Sequence, residues 1–272
     1  MCLILKGFSI KRTIIFIWVV VCLICPFAFG QNDTKEDLFK WSNYTELDRS
    51  VEGAFVGISG GALIVAGGIS EEGRNIDTIS VLQKGATQWD HSFKLEKPIA
   101  FGSAVTVNGG MVIIGGRTGG TCLADVTLIK WDPAQNNIEI ESLPDLPSPC
   151  AYSSAAVIDK KIYVAGGVYS LESKTGEKNF WMLDWSVEGQ MQWLPLESWP
   201  GGGRVSPVTT AQLSEEYDSL YIFGGCETMG GQVLTDGYRY DWLEKDEAKR
   251  WKKIADIGMD VTGMSGVKTG QS

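Results

Sequence analysis

The sequence predicts an all-β fold, a propeller of repeated four-stranded blades. Three observations predict it. A short apolar run ending in a Gly pair occurs four times: Ala62–Gly68, Met111–Gly116, Lys161–Gly167 and Ser219–Gly225. The first Gly of each pair is Gly67, Gly115, Gly166 and Gly224, so the runs recur roughly every 50 residues. An Asp or Asn opens the apolar segment after each pair (Asp77, Asp125, Asn179, Asp236), and an aromatic or aliphatic anchor follows it (Trp89, Ile138, Trp193, Trp251).

Each Gly-pair run is rich in β-branched and aromatic residues and bounded by Gly, which reads as a buried strand. The Gly pair permits positive φ and close backbone approach where the strand turns outward. The period is that of kelch repeats, one blade per repeat. Four repeats are predicted, at 51–97, 98–147, 148–202 and 203–257. Their first strands are expected at Ala54–Ile58, Ser103–Val107, Ser154–Ile158 and Val208–Gln212. The third strands are expected at Asp77–Leu82, Asp125–Ile129, Asn179–Leu183 and Asp236–Tyr240. The fourth are expected at Thr87–Trp89, Ile138–Ile140, Gln192–Leu194 and Arg250–Lys253. The tryptophans of this last set are expected to pack between blades.

The ends read differently. Lys6, Lys11 and Arg12 precede an apolar run from Thr13 to Cys25, and Ala28 and Gly30 are small residues placed for cleavage before Gln31. Residues 1–30 are therefore expected to be a signal peptide, which makes the protein exported, periplasmic or secreted. No stable membrane insertion is expected after cleavage. Residues 31–37 are a polar leader, and 38–50 look like an orphan outer strand that closes a ring. Residues 258–272 begin a fifth repeat with no Gly pair before Ser272. The expectation is a truncated piece of a larger propeller, six-bladed by the resemblance given below.

Removing residues 1–30 takes away three basic residues and no acid, leaving 21 basic against 33 acidic residues, a balance of −12. Nucleic acid and anionic membranes are disfavoured as partners. Cys122, Cys150 and Cys226 are an odd, widely spaced set, so buried thiols are expected and a zinc cluster is not. His91 is the sole histidine and is expected at the surface. It leaves no His-rich metal site, and a Ser-His-Asp triad would need His91 itself. No metal and no cofactor are expected.

Chemistry is expected on one face, in the loops 69–76, 117–124, 168–178 and 226–235 and the turn Pro200–Arg204. Their charged groups are Glu71, Glu72, Arg74, Arg117, Glu172, Glu177, Arg204 and Glu227. Arg pairs bidentately with carboxylates, so Arg204, Arg74 and Arg117 are the candidate substrate-binding residues. Arg204 leads, because its glycine-rich turn is expected to bring it toward the axis.

The stretches Ser50–Gly68, Trp199–Arg204 and Leu220–Gly225 with Thr235–Asp241 resemble the cyclically permuted kelch mutarotases, similar to N-acetylneuraminate epimerases, over about residues 38–272. The resemblance implies a six-bladed, exported propeller that interconverts sialic acid anomers. Its partner would be a small sugar acid. It also implies a catalytic Glu, just after a Gly pair, with a catalytic Arg close behind it. That pair is expected beyond Ser272. Glu227 has Val233 at the Arg position, so Glu227 is only a weak catalytic candidate. The alternative is a non-catalytic kelch module that binds a glycan or a protein.

Overall fold

The computed structural model describes residues 43–186, 191–214 and 217–266. The expected signal peptide, the expected leader and the expected strand Leu38–Trp41 lie outside the described residues. So does the end of the fifth repeat, from Val267 to Ser272, and with it the place beyond Ser272 where the resemblance puts a catalytic Glu and Arg. A two-residue strand β1 (Val51–Glu52) precedes the first blade, which contains β2 (Phe55–Ser59) and β3 (Ala62–Ala66). After β4 (Ile69–Ser70), which pairs with β1, the blade is completed by β5 (Thr78–Leu82) and β6 (Asp90–Lys94). The second blade has β7 (Ser103–Val107) and β8 (Gly110–Ile114). A small ribbon of β9 (Arg117–Thr118) and β10 (Thr121–Cys122) leads to β11 (Val126–Asp132) and β12 (Asn137–Leu143). The third is β13 (Ser154–Ile158), β14 (Lys161–Ala165), β15 (Phe180–Asp184) and β16 (Trp193–Pro195). The fourth is β17 (Val208–Ser214), β18 (Tyr217–Phe223), β19 (Gly237–Tyr240) and β20 (Trp251–Ile254). Every blade is an antiparallel meander in chain order.

The largest departures from the expected blade edges are in blades 1 and 2. The fourth strand of blade 1 starts at Asp90, not at Thr87–Trp89, because residues 83–89 turn through Gly85 at φ +81°. Strand β11 runs on to Asp132, past the expected end at Ile129, because its pairing with β12 continues to Asn137.

The Gly-pair strands β8 and β14, each with a blade on either side, are buried on both faces, which explains their unbroken apolar runs. In β8, Met111 and Ile113 join Ile64, Ile79 and Val81 of blade 1, while Val112 and Ile114 join Ile162, Val164 and Leu183 of blade 3. In β14, Tyr163 and Ala165 turn the other way, toward Leu220, Ile222 and Tyr240 of blade 4. Blades therefore share one core layer per neighbour. Trp251 lies in the last of these layers, with ring centroids 5.0 Å from those of Phe180 and Tyr240.

The joints repeat as well. The second Gly of each pair donates its N–H to the linker entering the next blade: Gly68 to Ile99 O, Gly116 to Cys150 O, Gly167 to Arg204 O and Gly225 to Val261 O, at 2.7–2.8 Å. On the outside, indole N–H groups do a similar job. Trp193 Nε1 donates to Pro144 O at 2.9 Å, Trp251 Nε1 to Glu197 O at 2.7 Å, and Trp89 Nε1 to Glu46 O at 3.0 Å. Residues 45–48 thus offer blade 1 the same acceptor that blades 2 and 3 offer their successors.

Two sheltered carboxylates set the acid limit of this fold. Asp241 is 1% exposed. Burial alone would raise its carboxyl, but Lys252 at 2.7 Å, Ser219 at 2.8 Å and Arg239 at 2.9 Å hold it below the usual carboxylate range. Asp236 is likewise opposed by burial and held low by Tyr238 and Arg204. Groups with depressed folded pKa values contribute stability above their unfolded value of about 3.9 and lose it as pH falls through the lower folded value. The melting temperature is expected to stay level above about pH 5 and to fall below about pH 4. Asp241→Asn should make that fall shallower in a calorimetric pH series; an unchanged slope would exclude Asp241 as a source.

Candidate functional site

The four blades present one residue each, at the start of the first strand, to a shared inner ring. Gly53, Phe101, Tyr152 and Ser206 occupy it, and Gly263 continues the series. Each N–H donates to the carbonyl of the one before: Phe101 to Gly53, Tyr152 to Phe101, Ser206 to Tyr152 and Gly263 to Ser206, at 2.6–3.0 Å. All five have positive φ, between 51° and 63°. Glycine adopts this conformation freely, whereas a bulky aromatic there costs of order 1–3 kcal/mol. Phe101 and Tyr152 are held there nonetheless, with rings stacked at 4.9 Å. Strain kept where Gly would relieve it marks a working position.

Below these rings runs an axial cavity of about 240 Å³. Its wall is rich in hydroxyls: Ser103, Ser153, Ser154, Ser206, Thr209 and Ser265. Ser103 and Ser153 hydrogen-bond at 2.8 Å, and Ser154 Oγ accepts the Thr209 N–H at 3.0 Å. Thr209 Oγ1 is buried with no hydrogen-bond partner among the described residues. An unsatisfied buried hydroxyl on a cavity wall is a contact waiting for a ligand or water.

Arg117 packs against Phe101 and Tyr152, two of the residues that line the cavity. It directly follows a Gly pair, in a place held by Ile69, Val168 and Cys226 in the other blades. A reciprocal backbone bridge to Ala100 fixes it beside Phe101. Its Cζ lies 4.9 Å from the Phe101 ring centroid. Its Nε donates to Tyr152 Oη at 3.0 Å, and its Nη1 donates to Gly119 O at 2.6 Å.

The other expected residues scatter. Arg204 does not reach the cavity. It is fully buried in the wall between blades 3 and 4, its Nη2 2.7 Å from Asp236 Oδ1 and its Nη1 donating to Gly224 O at 2.8 Å. Rings of Tyr238 and Trp199 flank it at 5.4 and 6.0 Å. The glycine turn explains the inward swing, because a side chain on Gly203 would run into the Gly176 carbonyl. Arg74 is exposed and 3.7 Å from Glu72, with no place at the mouth. Glu227 is exposed, its carbonyl accepting the Gly176 N–H, while Val233 bridges Cys226. Glu177 is more telling. Burial raises its carboxyl above the usual range, and its backbone is pinned at the joint between blades 3 and 4, its N–H donating to Gly167 O and its carbonyl accepting the Arg204 N–H. Burial also pushes the Cys150 and Cys122 thiols up, so neither is poised as a nucleophile.

His91 is half-buried at the surface of blade 1. Its side chain is 19% exposed, with Nδ1 2.8 Å from Ser80 Oγ and Nε2 3.0 Å from Asp48 Oδ1. The order is inverted relative to a hydrolytic triad, and Ser80 is 3% exposed. The trio ties residues 45–48 to blade 1 and offers no accessible nucleophile. No group of three His, Cys, Asp or Glu among the described residues is placed to hold a metal ion.

The family model of the KLHDC2/KLHL20/DRC7 kelch-repeats domain matches residues 53–269. The chain belongs to the kelch-repeat family. Among relatives of this kelch chain, beta-scruin of Limulus polyphemus is 25% identical over 169 residues, covering 55% of the chain and 18% of that relative. The N-acetylneuraminate epimerase of Salmonella enteritidis is 28% identical over 137 residues, covering 48% and 32%. The kelch chain thus spans a third or less of these two relatives' lengths. The solved structure of YjhT shares the fold at a TM-score of 0.64 and 13% identity, covering 79% of this chain and 73% of that one.

Sequence reasoning missed Phe101, Tyr152 and Thr209. The signal was present for the two aromatics. Phe101 precedes Gly115, and Tyr152 precedes Gly166, by the same interval that separates Gly53 from Gly67 in blade 1.

Proposed function

We propose that this kelch chain is the propeller of an exported sugar-acid mutarotase that interconverts the anomers of N-acetylneuraminate. The observation that carries the reading is the hydroxyl-lined cavity with a guanidinium held against its two aromatic lining residues, in a chain related to N-acetylneuraminate epimerases. Opening a hemiketal needs a base at the anomeric hydroxyl and an acid at the ring oxygen. Glu177, whose carboxyl burial raises above the usual range, is the residue suited to donate and retake that proton. NMR exchange spectroscopy on the folded chain from Gln31 should show faster α-to-β exchange of N-acetylneuraminate than buffer alone. Glu177→Gln should slow the catalysed part by about 10²-fold, the low end for general acid–base help. No acceleration by a folded chain would overturn the enzyme reading. It would favour a non-catalytic kelch binding module. Export predicts that protein recovered from outside the cytoplasm starts at Gln31 by N-terminal sequencing.

A further inference from the structure

We propose that Arg117, the Phe101–Tyr152 pair and the Thr209 shaft form one subsite for a cyclic sugar acid, carboxylate at the rim and hydroxylated arm inside. This rests on the sugar-acid reading above and adds the residues and the orientation. Three independent features converge. First, Arg117 is the one charged residue among the four that follow a Gly pair, and Tyr152 and Gly119 hold its fork beside the two rings that line the cavity. A guanidinium with two of its nitrogens so fixed is preorganised, so little rotamer freedom remains to be lost on pairing a carboxylate. Second, Phe101 and Tyr152 keep positive φ at ring positions where Gly53 and Gly263 do without side chains. Stacked rings at a cavity mouth suit the apolar face of a pyranose, while the Tyr152 hydroxyl accepts from Arg117 and can donate to a ligand oxygen. Third, Thr209 Oγ1 is buried on the shaft wall and has no partner among the described residues.

The cavity's size sets the orientation. At about 240 Å³ it is smaller than the roughly 300–1,000 Å³ of sites that enclose a whole drug-sized ligand. It accepts an arm of the sugar, not the whole of it. A carboxylate sent into the shaft would meet hydroxyls and no cation, whereas at the rim it meets Arg117. The arm that enters must therefore be neutral and rich in hydroxyls.

The test separates binding from turnover. The methyl glycoside of N-acetylneuraminate cannot open its ring, so it reports binding alone. N-acetylmannosamine supplies a neutral sugar. By saturation-transfer NMR and calorimetry, the glycoside should bind and the neutral sugar should bind much more weakly. Arg117→Ala should weaken the glycoside by about tenfold or more, the value of a charge-assisted pair, with Arg117→Lys falling between. Phe101→Gly should weaken binding of the glycoside in a protein that still folds, because relief of positive-φ strain offsets part of the packing lost with the ring. Thr209→Val, of equal shape, should weaken binding in a folded protein. Wild-type affinity in Arg117→Ala, or equal binding of the neutral sugar, would overturn the subsite. If mutarotation is seen and Arg117→Ala leaves it intact, the subsite falls and the enzyme reading stands. If the glycoside binds through Arg117 with no mutarotation, the subsite stands and the enzyme reading falls. If neither binding nor mutarotation is seen with folded protein, both fall.

Discussion

Gly115→Ala is expected to lower the stability of the propeller by about 4 kcal/mol and its melting temperature by roughly 10 °C. Three terms add. Gly115 has φ +58°, where a Cβ costs about 1–2 kcal/mol. That Cβ would run into the Cys150 carbonyl oxygen and come 3.2 Å from Leu146 Cδ1, an overpacking term of about 1–3 kcal/mol. The same carbonyl accepts the Gly116 N–H across the blade joint at 2.7 Å, so moving it gives up a hydrogen bond of about 1 kcal/mol. Gly85→Ala is the control. Gly85 also has positive φ, +81°, but nothing lies within 4 Å of its would-be Cβ. It should cost the strain alone, a loss of a few degrees. Equal losses in the two variants, measured by calorimetry, would mean that the Gly pairs act through backbone conformation and not as joints between blades.

That contrast shows what a sequence discloses and what it hides. The Gly pairs were legible because their chemistry is local: a strand must end, and the turn needs positive φ. The burial of β8 and β14 on both faces was legible for the same reason, as unbroken apolar runs. Repetition made each signal stronger. The mouth was harder. Phe101 and Tyr152 look like ordinary aromatics, and the feature that distinguishes them is a φ angle, which no residue type announces. Thr209 is one hydroxyl among many until the cavity around it is seen. Arg117 was legible as a loop arginine, yet its distinction from Arg74 depends on Phe101 and Tyr152, far away in the chain. His91 escaped for a related reason: its partners, Asp48 and Ser80, come from two separate segments that only the folded blade brings together.

Arg204 is the case where local reasoning pointed the wrong way, and its substitution carries the second large effect. A run of glycines was expected to carry the arginine outward to the axis, and instead it lets the chain lie close enough to blade 3 to drive the guanidinium into the wall. There Arg204 takes the slot that Ile99 and Cys150 fill at the other joints, as their shared role of accepting a Gly-pair N–H shows. Arg204→Ala should therefore destabilise by about 3–5 kcal/mol, because it leaves a cavity and an Asp236 carboxylate, 25% exposed, without its cation. The double variant Arg204→Met with Asp236→Asn should cost much less, since replacing a buried ion pair with neutral groups of similar volume is often near neutral. The pH response supplies the decisive sign. With Arg204 present, Asp236 is held low, and its contribution is lost as pH falls. In Arg204→Met alone, Tyr238 still opposes burial but the arginine charge is gone, so the Asp236 pKa should rise from its place in the wild type. Less stability is then lost as pH falls. Denaturant unfolding at pH 7 and at pH 4.5 should thus narrow the gap between Arg204→Met and wild type at the lower pH. A gap that widens there would mean that Asp236 does not depend on Arg204, and that the buried arginine is held for another purpose.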